Sequence, residues 1–331
     1  MSGPSRASTA PLAVNRRVEK YLLPGAVAST VSSRHPHETN MKKYPFVLCT
    51  LFVSASLCAQ DASPANPTPA PSSGNFYARW SAQTNRIQSK QPAWPPPLVT
   101  TYVELFQVIR TDMVRQIAPA RTDTWNIDNS KGVSFITPGN LEFDVDLPPY
   151  IRHNSTAVDG WGDFSFLAKA RLASGNAQHG NYSVTAWALT TFPTGQAKNG
   201  STNASVAPAI GVGKGFGNLD VQSALGATLP TGSPATNTAG RPILWNTAAQ
   251  YHLHKVFWPE LESNSTFYKG GPNDGKTQEF ITPGLLIGKL ALHPQDKQSR
   301  PGLTFGGGMQ IATSKLHTYN HSLILTARWI F

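Results

Sequence analysis

The sequence predicts an all-β protein, an up-and-down antiparallel transmembrane β-barrel of about 12 strands. Only 14% of the 331 residues are charged, a composition that suits strands better than helices. From about residue 100 to Phe331, apolar and polar residues alternate in segments of about 8–14 residues, which is the period of a strand. No stretch reaches the roughly 20 apolar residues of a spanning helix, so a membrane form must be a closed barrel.

The start of the chain predicts export. Residues 1–40 show no apolar period, and we expect them to lie upstream of the true translation start. Two lysines and an apolar run then fill residues 41–59, which predicts a signal peptide cleaved near Ala59/Gln60. Two alternatives stay open, an internal apolar strand and a lipoprotein cut before Cys58.

Charge and cysteine content exclude several classes of protein. Cys49 and Cys58 both lie in the predicted signal peptide, so the mature chain has no disulfide and no cysteine-based metal or nucleophile site. The whole chain carries a net charge of +10, but residues 60–331 keep 21 basic and 16 acidic residues, a net charge of +5. That value does not indicate a nucleic-acid partner.

Residues 60–99 are rich in proline and are predicted to be a periplasmic N-terminal segment and a candidate plug. The barrel is predicted to fill residues 100–331, with its first strand at about 100–113. Twelve strands lie between eight-stranded barrels, whose interior is filled, and 16–18-stranded porins, so we expect a narrow or partly plugged pore.

The strands follow from the alternation. In the first clear example, Leu141, Phe143 and Val145 are predicted to face lipid, and the side chains between them face the lumen. The same pattern predicts strands at 164–172, 219–229, 243–254, 256–268, about 278–292, and up to Phe331. The predicted outer loops are 152–162, 193–204, 230–240, 269–277 and 314–319. The predicted inner turns are 137–140, 173–180, 214–218, around 255, and 293–300.

The C-terminal strand is similar to the signal that the outer-membrane barrel-assembly machinery reads. Leu323, Leu325 and Trp329 alternate with polar residues, and the chain ends in Phe331. The free edge of such a strand can pair with a strand of another protein. The resemblance therefore implies this machinery and outer-membrane lipid as partners.

A longer part of the chain, roughly 140–331, resembles the outer-membrane transporter family of the MetA pathway of phenol degradation. The motifs that carry the resemblance are Gly160–Phe164, Lys169–Arg171, Phe192–Gly195, Gly215–Asn218, Leu229–Gly232 and Trp245–Ala248. The resemblance implies a bacterial outer-membrane barrel for passive transport of small hydrophobic or aromatic solutes.

Charged residues at lumen positions are the first candidates for a functional site. Glu142, Asp144 and Asp146 lie beside Lys169 and Arg171 of the next strand. Two interpretations stay open. The charges form a transverse field that tunes ion selectivity, or they form salt bridges that only fill and stiffen a narrow barrel.

A second group of polar residues is predicted to line the lumen. Its members are Gln250, His252 and His254 on one strand, Glu260 and Glu262 on the next, and Arg328 on the last. Histidine with carboxylate can bind a metal ion, but a hydrated polar lumen explains the pattern without one. We therefore expect no metal ion and no cofactor.

No pattern indicates catalysis. Gly211, Gly213, Gly215 and Gly217 recur at every second position, which fits small residues on one strand face better than a phosphate-binding loop. The chain has no Gly-x-Ser-x-Gly motif, so we predict a monomeric barrel that is not an enzyme. A non-conducting structural or surface-binding barrel and an outer-membrane lipid-modifying enzyme are the alternatives.

Overall fold

The computed structural model describes residues 76–196, 198–232, 240–293, 295 and 301–331. The predicted upstream segment 1–40, the signal peptide 41–59 and the first part of the proline-rich segment lie outside the described residues. No described helix is long and apolar enough to cross a membrane.

The described chain contains one α-helix and many strands. In chain order they are α1 (Phe76–Gln88), β1 (Val108–Ile117), β2 (Asp123–Asp128), β3 (Gly132–Thr137), β4 (Leu141–Asp146), β5 (Tyr150–His153), β6 (Gly160–Trp161), β7 (Phe164–Gly175), β8 (Tyr182–Phe192), β9 (Ser205–Phe216), β10 (Leu219–Ala227), β11 (Leu229–Pro230), β12 (Ile243–Tyr251), β13 (Phe257–Phe267), β14 (Thr277–Ala291), β15 (Gly302–Ala312) and β16 (His321–Ile330).

The strands form a closed barrel of 12. Four of the twelve are built from two pieces that share their neighbours, namely β2 with β3, β4 with β5, β6 with β7, and β10 with β11. Each strand pairs antiparallel with the next along the chain. The ring closes where β1 pairs with β16, from Val108 opposite Ile330 to Ile117 opposite His321. The predicted up-and-down barrel is confirmed.

The outer surface of the barrel is apolar. Trp245, Leu261 and Leu225 point outward and are each about half exposed, at 53%, 54% and 51%. Their neighbours along each strand point inward and are buried or half-buried, as in the exposed and buried alternation of β16. An apolar outer belt over a polar interior is the surface that a transmembrane barrel presents to lipid.

The first strand begins at Val108 and not near residue 100, which corrects the predicted boundary. Residues 92–107 contain no helix or strand. Their main-chain N–H groups reach side chains of distant strands, as Val99 does with Glu262 at 2.8 Å. An apolar stretch beside prolines therefore finds hydrogen-bond partners for its main-chain N–H groups without joining the sheet.

Residues 91–107 occupy the lumen and α1 lies at its entrance, and residues 76–107 together are called the plug. They enter and leave at one end of the barrel, called the inner rim, which carries the short turns 138–140, 217–218 and 252–256. Gln91 bonds both main-chain groups of Leu105, accepting from its N–H at 3.1 Å and donating to its carbonyl at 2.9 Å. The segment between these two residues is thus a loop closed at a neck.

The helix of the plug lies at the inner rim. Ile87 packs with Leu105 and Ile136 in one buried cluster. The indole of Trp80 donates to the carbonyl of Ile136 at 2.8 Å. The helix is therefore attached both to the returning end of the plug and to the end of β3.

Candidate functional site in the barrel lumen

Two carboxylates of β13 bind the main chain of residues 98–100, which form the tip of the plug. Glu260 accepts from the N–H of Leu98 at 3.2 Å. Glu262 accepts from Val99 at 2.8 Å and from Thr100 at 2.6 Å. Both predicted lumen residues therefore contact the plug.

Two arginines bind carbonyls at the tip and just before it. Arg328 donates to the carbonyl of Pro97 at 2.8 Å and also to that of Pro96. Arg110 donates to the carbonyl of Leu98 at 2.5 Å. Proline has a carbonyl but no N–H. Arg328 is thus placed where the two prolines offer only acceptors, and Arg110 binds the carbonyl of Leu98, whose N–H is bound by Glu260.

On the side of the ring opposite β13, Glu142 of β4 and Lys169 of β7 form another contact with the plug. Their side chains make an ion pair of 2.8 Å and are both completely buried. Glu142 also accepts from the Tyr102 hydroxyl at 2.9 Å and from the N–H of Phe106. The Lys169 ammonium lies 3.4 Å from the centre of the Tyr102 ring. The pair therefore joins two strands to the plug.

Arg171 binds where the helix of the plug ends. It donates to the carbonyl of Ile87 at 2.8 Å and to Gln91 Oε1 at 2.8 Å. A cation at the carboxyl end of a helix interacts favourably with the helix dipole. A third bond, to Asn140 Oδ1 at 2.7 Å, connects the helix end to the turn before β4.

Asp144 and Asp146 lie on β4, beside the tip of the plug. Asp144 is 8% exposed, and its Oδ1 has no hydrogen-bond partner among the described residues. Asp146 accepts from the hydroxyl of Ser165 at 3.3 Å. Both line a cavity of about 190 Å³. Of the five predicted charges in this part of the barrel, only Glu142 and Lys169 pair with each other, and their effect on selectivity stays a prediction.

Gln250 extends the polar contacts of β13. It donates to Glu260 Oε2 at 2.8 Å and accepts from Gln222 at 3.3 Å. Gln222 in turn accepts from the N–H of Val103 at 3.3 Å. A chain of side chains thus connects two separate points of the plug.

Of the two predicted histidines, His254 does not share the strand face of Gln250, which corrects the prediction, whereas His252 still faces the interior at the inner rim, with a buried Nε2 atom. β12 ends at Tyr251, and the two histidines lie in the turn that follows. His254 is exposed and has a left-handed backbone, with φ of 51°. The ring of His252 stacks on Trp258 at 4.0 Å. The turn starts earlier than the alternation of side chains indicates.

The glycines of β9 form a slot for the plug. A Cβ atom at Gly213 would lie 2.7 Å from both Val103 Cγ2 and Trp94 Cζ3. A Cβ atom at Gly211 would lie 2.8 Å from Val103 Cγ1. Small residues on one strand face were predicted here. These glycines leave room for side chains of the plug, which lies about 110 residues away in sequence.

Several lumen residues were missed by sequence reasoning, and Glu104 is the clearest case. It is completely buried, and neither of its carboxylate oxygens has a hydrogen-bond partner among the described residues. Burial, helped by the nearby Asp220, raises the pKa of Glu104 well above its usual range. Burial also raises the pKa of the Tyr102 hydroxyl. The sequence signal that could have placed Glu104 outside a strand is Pro95–Pro97, because prolines argue against a strand at this point of the chain.

The C-terminal residues occupy the seam of the barrel. Leu323, Leu325 and Trp329 face outward and are between 38% and 48% exposed. The N–H of Phe331 donates to the carbonyl of Gln107 at 3.3 Å, next to the start of β1. In the closed barrel both edges of β16 are paired. Recognition of this strand by the assembly machinery stays a prediction.

Comparison with known proteins gives a limited result. No protein-family model matches the chain, and no curated protein matches it. The resemblance to the MetA-pathway family therefore stays a prediction. Three solved structures are similar in outline, and each similarity is weak.

An outer-membrane channel from Pseudomonas putida F1 has 12% identity and a TM-score of 0.49, covering 72% of this chain and 100% of that one. The NanC porin has 11% identity and a TM-score of 0.44, covering 68% and 98%. The KdgM porin has 11% identity and a TM-score of 0.39, covering 68% and 99%. Similarities of this strength carry no argument about function.

Proposed function

We propose that the protein is an outer-membrane barrel for passive passage of small solutes, closed by the plug in the state described here. One observation carries the proposal. The lumen is filled by a separate loop, which side chains of the wall hold through its main chain. Because the loop takes no part in the strand pairing, it can leave without breaking the barrel.

The apolar outer belt supports the membrane location. Lipid is the partner that such a belt requires, and the alternation of β16 supports delivery by the assembly machinery. Export through a signal peptide at 41–59 belongs to the same proposal. Catalysis does not.

An apolar patch inside the barrel supports hydrophobic or aromatic solutes. Trp187, Leu189 and Ala224 line a cavity of about 150 Å³ beside the tip of the plug. The interior of an aqueous channel is normally polar. This cavity shares Thr101 and Leu189 with the polar cavity that contains Asp144. A solute with an apolar body and one polar group fits such a pair of surfaces.

The complete burial of several plug residues favours a second candidate, a non-conducting structural barrel. Val103, Glu104 and Leu105 are all 0% exposed. A lumen packed this closely lets little solute pass while the plug is docked. The two candidates differ in what the barrel does once the plug is removed.

The test compares the native chain with a variant that lacks residues 76–107. Liposome swelling with aromatic solutes and with sugars, together with single-channel conductance, measures passage. We expect a large rise in conductance and faster swelling with aromatic solutes after deletion. Heat-modifiable migration on SDS gels checks that the shortened barrel is folded. A folded barrel that conducts no more than the native chain would establish the structural alternative.

A further inference from the structure

A third cavity lies at the inner rim, between the plug and the wall. Its volume is about 380 Å³, within the range of small-molecule sites. One side is formed by Pro92–Pro96 of the plug. The other side contains His252, Trp258 and Thr304 of the wall. None of the interactions described above fills this space.

The cavity has flat and rigid aromatic surfaces. Trp94 is 6% exposed and fits the glycine slot of β9. On the wall side, the rings of His252 and Trp258 are parallel to within 8°, with centroids 4.0 Å apart. The Trp258 indole donates to the carbonyl of Gly288 at 3.2 Å, which fixes its orientation. Aromatic surfaces held in this way suit a planar apolar ligand.

The charge of the lining has one sign. Lys255 and Lys289 are both in the lining, and no aspartate or glutamate is. Lys255 is exposed and has no hydrogen-bond or ion-pair partner among the described residues. The buried Nε2 atom of His252 has no hydrogen-bond partner in the same part of the chain. A carboxylate group would complement the Lys255 ammonium.

We propose that this cavity binds a small aromatic carboxylate, with its ring between Trp94 and the stacked His252 and Trp258 and its carboxylate toward Lys255. The ligand would contact the plug and the wall together, so its binding stabilises the docked plug by mass action. This site goes beyond passage of solutes, because ligand binding at the inner rim does not require a conducting barrel.

The experiment uses the full chain purified in a non-ionic detergent and isothermal titration calorimetry with three probes. Benzoate has the ring and the charge, benzamide has the ring without the charge, and acetate has the charge without the ring. We expect benzoate to bind about tenfold or more tightly than either of the others, the loss expected when one charged contact or the ring is missing.

Two lysine variants separate a site from general attraction to positive charge. Lys255→Gln should weaken benzoate binding about tenfold. Lys269→Gln removes another exposed lysine from the loop between β13 and β14, at the other end of the barrel, and should leave binding unchanged. Heat-modifiable migration checks that both variants are folded. Trp258→Leu supplies an independent change on the aromatic side.

Three results would overturn the proposal. They are no measurable binding of benzoate, equal binding of benzoate and benzamide, and equal binding of benzoate to the two lysine variants. The titration contains no bilayer and no flux. A barrel that fails to conduct therefore leaves this inference intact, and a failed titration leaves the proposed channel untouched.

Discussion

Among the contacts between the wall and the plug, two lie on opposite sides of the ring and differ in kind. At β4 and β7, a buried ion pair binds a tyrosine of the plug as well as its main chain. At β13, Glu260 and Glu262 accept only main-chain N–H groups from the plug, and neither forms an ion pair among the described residues. The first contact depends on Tyr102, whereas the second accepts any residue that has an N–H.

The largest effect is expected where the ion pair is broken. Lys169→Met leaves Glu142 buried without its cation, which should cost about 3–5 kcal/mol of unfolding free energy. Urea unfolding of the barrel in liposomes measures the loss. The double variant Glu142→Gln with Lys169→Met is the control and should regain most of the stability, because no lone charge remains. Equal stability of the single and double variants would contradict the ion-pair account.

A smaller effect is expected at β13, and it should depend on the backbone rather than on the side chain. Val99→Pro removes an N–H group that Glu262 accepts, and should weaken plug docking by about 1–3 kcal/mol. Val99→Ala keeps that N–H and should change docking little.

A thiol at the buried position 103 can report this difference. In a Val103→Cys background, a water-soluble maleimide should label the Val99→Pro chain about tenfold faster than the Val99→Ala chain, in proportion to the population of the undocked plug. Equal labelling rates would mean that the main-chain contacts of Glu262 do not hold the tip.

The smallest effect is a pH dependence beside the ion pair, where Lys169 donates to the carbonyl of Glu104 at 3.4 Å. Because burial raises the pKa of Glu104 above the ordinary 4.5, the docked plug holds this proton more tightly than the undocked one. Docking should be strongest below pH 4.5 and weaken as pH rises through the raised pKa. Labelling of the same thiol between about pH 5 and 7, corrected for its own reactivity, follows this change.

Glu104→Gln is the matched variant for that measurement. It keeps the size of the side chain and removes its titration, so its docking should vary less with pH than that of the native chain. If both chains show the same pH profile, another group causes it.

The alternation predicted the barrel because lipid and lumen act on every strand alike. Leu141 and Glu142 could be assigned to opposite faces from the sequence alone. The partners of Glu142 could not, because its contacts with the plug depend on how the loop folds back from the inner rim. The link between Glu262 and Val99 likewise joins residues 163 positions apart.

Two local errors have physical causes. Residues 100–107 are apolar enough to be taken for a strand, but their N–H groups find carboxylate and amide acceptors inside the lumen instead of a neighbouring strand. His254 was assigned to a strand face, although asparagine, aspartate and histidine are the non-glycine residues that most readily adopt the left-handed backbone of a turn.

The neck formed by Gln91 and Leu105 has a consequence for the order of assembly. Because the loop enters and leaves at the same end, β1 and β16 can join before the loop arrives, and no chain terminus has to be threaded through the finished cylinder. Insertion of the loop can then follow as a separate step, with its own rate and its own reversal.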